Sequence, residues 1–62
     1  MTAIQKYRKQ KHMTQQQLAD AVGVTQGAVN QWEKGVTKPK IETLVAMSKL
    51  FGCTLEDLVK GA

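Results

Sequence analysis

A single cysteine, Cys53, excludes an internal disulfide, so nothing covalent within the chain holds it closed. A reducing, cytoplasmic setting is the default expectation, with Cys53 a small buried residue in preference to a reactive thiol. The one histidine, His12, has no ligand cluster beside it, which argues against a metal site and places it at an exposed helix end. The longest apolar run, Leu44 to Met47, falls far short of the roughly 20 residues a membrane helix needs. The amino terminus is polar and basic with no hydrophobic stretch after it, so no secretory signal is visible. Period-two alternation is missing, which argues against sheet. There is no nucleophile with a base beside it and no glycine-rich phosphate loop. An enzyme is therefore not expected, and neither a cofactor nor a small-molecule ligand is implied.

What is present is positive charge, unevenly placed. The 62 residues carry a net charge of +4. Lys6, Arg8, Lys9 and Lys11 precede the first acid, Asp20, and Lys34, Lys38 and Lys40 form a second group. The acids Glu42, Glu56 and Asp57 lie elsewhere. Such asymmetry is the footprint of phosphate contact, although two solvated helix faces would look the same by charge alone. A chain this short makes one domain, residues 1–62, and buries only about 60% of its unfolded surface. It has no room for a catalytic cleft and a scaffold together.

Helix signals fill the chain. Ile4 and Tyr7 share one face of a first helix from about Thr2 to Lys11, and Met13 covers the link after it. Thr14 and Gln17 match a capping box, and Leu18, Ala19 and Val22 form one buried stripe, which Gly23 ends. Val24 plugs the turn. Thr25 caps the next helix, whose Val29 and Trp32 point inward, and Gly35 closes it. Pro39 interrupts the chain. A fourth helix from about Ile41 to Phe51 buries Ile41, Leu44, Val45, Met47, Ser48, Leu50 and Phe51, and Gly52 ends it. Thr54 with Asp57 begins a fifth helix carrying Leu55, Leu58 and Val59. The expected fold is all-α, a compact bundle of about five short helices that contains a helix-turn-helix.

The outward face of the third helix is unusual. It presents Gln26, Gly27, Asn30, Gln31 and Lys34, mostly uncharged amides where Lys and Glu are common. Amides donate and accept in a fixed plane, which suits the edges of base pairs. Thr14-Gln15-x-x-Leu18-Ala19, then Gly23-Val24-Thr25-Gln26, Val29, Trp32-Glu33-x-Gly35 and Pro39 together resemble the phage repressor and Cro helix-turn-helix family. Leu44, Leu50, Gly52, Thr54 and Leu58 extend the likeness over nearly the whole chain.

The resemblance implies a sequence-specific DNA-binding regulator of transcription, a Cro-type repressor on a near-palindromic operator. Gln26 then matches the residue at the head of the recognition helix that reads a base edge, with Gly27, Asn30 and Gln31 the other base-reading positions. Gln15 matches a residue that bonds a phosphate and braces the recognition helix. Arg8, Thr25, Lys34, Lys38 and Lys40 complete the expected backbone contacts. Glu33 faces away from phosphate and holds local structure. Gly27 departs from relatives that carry a polar side chain there. It costs helix stability, and either admits a close DNA approach or a thymine methyl, or is drift. Ala28 touches a methyl group or packs.

One recognition helix reads too few base pairs to be specific, so a homodimer is expected, formed either in solution or only on DNA. Leu55, Leu58 and Val59, or the turn near Pro39, are its expected interface. A chain that ends at Ala62, directly after the fifth helix, looks Cro-like. The alternatives are an amino-terminal fragment, a restriction-modification controller, or an antitoxin that adds a protein partner to the same DNA-binding domain.

Overall fold

The computed structural model describes residues 3–60, which form five helices in the order α1 (Ala3–Gln10), α2 (Gln15–Val22), α3 (Gln26–Lys34), α4 (Ile41–Phe51) and α5 (Leu55–Lys60). No strand occurs among the described residues. The expected start of the first helix at Thr2 lies outside them.

Local chemistry sets the helix ends. Thr14 Oγ1 accepts from the Gln17 N–H at 3.0 Å while Gln17 Oε1 accepts from the Thr14 N–H at 2.8 Å. That reciprocal pair satisfies two amides the helix leaves orphaned. Thr54 and Asp57 repeat it at the start of α5, at 3.1 Å each way. At the other end of α2, Gly23 takes φ 74°, and the Val24 N–H returns to the Ala19 carbonyl at 2.9 Å. Gly35 does the same after α3 at φ 76°, with Val36 N–H bonded to the Gln31 carbonyl at 3.0 Å. Left-handed backbone of this kind is cheap for glycine and costly for residues with a Cβ. Helix α1 ends with the same turn but lacks the glycine: His12 is exposed and sits at φ 55°.

The buried core is Ile4, Leu18, Ala19, Val29, Trp32, Met47, Phe51 and Leu58. Ile4 and Leu58 bring α1 and α5 together, and the Tyr7 and Phe51 rings stack with centroids 5.8 Å apart. Each large side chain so buried stabilises the fold by roughly 1.5–3 kcal/mol. Val24 and Met13 pack against this cluster from the connecting turns. Ile41 does not: at the start of α4 it is 61% exposed, so the expected buried face of that helix begins with Leu44. Its position one residue after the extended Lys40 places it before the helix has turned toward the core.

Candidate nucleic-acid interface

Helix α3 has an inner side fixed in the core and an outer side of polar groups. Val29 and Trp32 anchor the inner side, fully and nearly fully buried. Thr25 begins the helix, its Oγ1 accepting from the Ala28 N–H at 3.2 Å. Gln26, Gly27, Gln31 and Lys34 are exposed, and Asn30 is half-buried where it meets α2. The Gln31 Oε1 accepts from the Thr37 hydroxyl at 3.5 Å, a long bond that links the helix to the loop after it. Ala28 is half-buried and packs against the core.

A polar lock holds the third side of α3. Arg8 of α1 donates from Nε to Glu33 Oε2 at 2.6 Å and from Nη2 to Glu33 Oε1 at 3.0 Å. Its Nη1 donates to the Met13 carbonyl at 2.8 Å. The two side chains keep only 11% and 4% of their surface exposed. Gln15 of α2 joins them, its Nε2 donating to Glu33 Oε1 at 3.1 Å and to Asn30 Oδ1 at 3.5 Å. Three helices are thus tied at one carboxylate. A guanidinium bound in a fork has little freedom to rotate, so this junction fixes the roll of α3 about its axis as well as its position.

The lock corrects one expectation. Arg8 does not stand free for a phosphate: its charge is neutralised by Glu33 and most of its donors are used inside the chain. Sequence reasoning placed it with Lys6, Lys9 and Lys11 because the four are neighbours, yet a residue 25 positions away claims it. One signal pointed to the pair. Glu33 is the only acid between Asp20 and Glu42 and adjoins the core residue Trp32, so a carboxylate there needs a cation from elsewhere. Gln15 likewise has its amide hydrogens engaged at Glu33 and Asn30, which makes it a brace in this structure. Lys34, Lys38 and Lys40 are exposed and supply positive charge on α3 and the following loop.

The residues expected at a dimer interface separate. Leu58 is wholly buried and belongs to the core, so it offers no surface to a second chain. Val59, its neighbour, is 56% exposed and Leu55 is half-buried. Val59 and Pro39 line a mainly apolar cavity of about 180 Å³ together with Ile4, Lys38, Leu44 and Leu58. Tyr7 and Cys53 have proton affinities raised, first by desolvation and then by the charge of Asp57, but neither lies on α3. No group of His, Cys, Asp or Glu able to hold a metal occurs among the described residues, and no helix there is long and apolar enough to cross a membrane.

Comparison with known proteins agrees with this geometry. A helix-turn-helix family model matches residues 4–58, and the chain belongs to that family, the Cro/C1-type helix-turn-helix proteins. Among its relatives, the transcriptional activator BcrR of Enterococcus faecalis is 38% identical over 58 residues, covering 94% of this chain and 28% of BcrR. The repressor protein C2 of Salmonella phage P22 is 41% identical over 54 residues, covering 87% of this chain and 25% of C2. The chain therefore spans about a quarter of the length of each of these two curated relatives. A crystal structure of the P22 c2 repressor in complex with a synthetic operator superposes with a TM-score of 0.87 at 39% identity. That match covers 95% of this chain and 89% of the crystallised one.

Proposed function

We propose that this chain is a sequence-specific DNA-binding domain of a cytoplasmic transcriptional regulator, a Cro-type repressor that pairs on a near-palindromic operator. The observation that carries the proposal is the outer side of α3: exposed amides on a helix whose roll is fixed from behind by the Arg8–Glu33–Gln15 junction. Affinity for a base edge depends on donor and acceptor positions within a few tenths of an ångström, and a helix free to roll would not hold them. The P22 c2 complex with its operator supports the same reading by likeness.

In this reading Gln26, at the amino end of α3, enters the major groove and pairs in two places with an adenine edge. Asn30 and Gln31 make the remaining amide contacts. Thr25, Lys34, Lys38 and Lys40, with Gln15 where it exchanges its long bond to Asn30, grip phosphates. A dimer places two such helices about one DNA turn, roughly 34 Å, apart. Val59, Leu55 and Pro39 are the surface we assign to that pairing, since an exposed valine beside an apolar cavity gains from being covered.

Selection of bound sites from a random DNA pool, followed by Gln26→Ala, tests the proposal. The substitution should cost about tenfold or more on the selected site, equivalent to roughly 1–3 kcal/mol, and leave random DNA almost unaffected. Enrichment of no sequence by the parent chain would remove the proposal.

A further inference from the structure

Gly27, in the first turn of α3, and Lys34, two turns on, are the residues of that helix that face most directly away from the protein. At about 100° per residue Gly27 lies nearly opposite the mean direction of Val29 and Trp32, with Gln26 and Asn30 on one flank and Gln31 on the other. In the first turn the crown of the outward face is therefore a gap between amides, and Lys34 fills it only at the far end of the helix.

The fold does not ask for that gap. Unlike Gly23 and Gly35, Gly27 has no positive φ. A Cβ built there would meet nothing nearer than the Thr25 Oγ1 at 3.9 Å, an ordinary contact. Neither backbone conformation nor packing requires glycine, yet glycine in the first turn of a helix lowers its stability relative to alanine. A cost without an internal reason points to an external one, and the gap opens only outward.

We propose that Gly27 is a specificity-determining gap that seats the first turn of α3 against the 5-methyl group of a thymine in the major groove. That methyl is the one apolar substituent that base pairs project there, and a helix without a side chain at its crown can approach it to van der Waals contact. A Cβ at the same point would collide with it and lift the flanking amides from their partners. The inference rests on the DNA-binding function proposed above and assigns the residue that limits how closely α3 can come.

The experiment compares the parent chain with Gly27→Ala on a site selected by the parent, and on versions in which each thymine is replaced singly by uracil, which lacks only the methyl. Thermal melting of the variant should rise by about 4–8 °C, since a helical glycine is replaced by alanine in a small domain. Affinity for the thymine site should nevertheless fall at least tenfold, and uracil at one position should restore most of the loss. Equal affinity of parent and variant for the selected site would overturn the proposal. So would a loss that uracil restores at no position, which would leave no methyl in the gap. Failure of the parent to select any site is a separate result and would remove the DNA-binding function itself.

Discussion

Helices α1 to α3 and helices α4 and α5 reach the same core by different means. The first three meet at directional bonds: a forked ion pair between α1 and α3, and an amide from α2 that joins it. The last two join the bundle through Met47, Phe51 and Leu58, whose contacts are apolar and not directional. Apolar burial is strong but tolerates small rotations, because a leucine loses little when a neighbour slides. A forked guanidinium loses its second bond when the carboxylate turns. The part of the molecule that must present groups at set positions is also the part held by geometry.

The largest effect should come from the apolar half. Leu58→Ala should cost about 2–5 kcal/mol, against a total stability of roughly 3–9 kcal/mol for a domain this size. Denaturant melting should show that loss, while operator affinity per folded molecule stays at the parent value. A reduced affinity in the folded fraction would show that α5 also orients α3 and would dissolve the contrast.

Next in size is the lock. Glu33→Gln leaves the Arg8 charge nearly buried without its counterion and should cost about 3 kcal/mol. Replacing both partners with methionine sharpens the comparison, since an apolar pair of similar volume often restores stability. We expect the double variant to melt near the parent temperature and still bind the operator several-fold more weakly. Parent-like binding by that variant would mean that the lock stabilises α3 without orienting it.

Thr14→Ala removes one capping bond and should lower stability by about 1 kcal/mol, measurable as a melting shift of several degrees. Because Gln15 follows directly, a small loss of operator affinity should accompany it. The smallest effect concerns pH at the α1–α4 contact. Burial and the charge of Asp57 raise the proton affinities of Tyr7 and Cys53 above their ordinary values of 10.0 and 9.0. The native state thus holds these protons more tightly than the unfolded chain, so stability is full below the ordinary values and falls as pH rises beyond them. Chemical melts from pH 8 to pH 11 should show a gentle decline above about pH 9, flattened by Tyr7→Phe with Cys53→Ala. An unchanged slope in that double variant would place the alkaline sensitivity elsewhere.

The fold was legible because its boundaries are written locally. Thr14 with Gln17, Thr25, Thr54 with Asp57, and the glycines at 23, 35 and 52 each act within a few residues of themselves, and the helices begin and end there. The outward set of α3 was legible for the same reason, since Val29 and Trp32 settle which side is inward. Arg8 was misread because its partner is distant in sequence, and a run of four cations looks the same whether or not one is claimed. Leu58 and Val59 show the other limit. Both are apolar and adjacent, but a helix turns about 100° between them, so one fills the core and the other meets solvent. Composition weights them alike; only the direction in which α5 is docked separates them.

The packing of α1 on α5 has a consequence for the order of events during synthesis. Ile4 waits for Leu58, and Tyr7 for Phe51, so the core cannot close while the chain is still emerging without its last helix. A ribosome making this domain releases α1 and then α2 and α3, which have their own caps and can coil early, but α5, which closes the core against α1, arrives last of the five. Until residue 58 has cleared the exit tunnel, the nascent chain carries the Arg8–Glu33–Gln15 junction without the full apolar core beneath it. The apolar core is complete only when Leu58 meets it, so α5 is the closing element of the bundle.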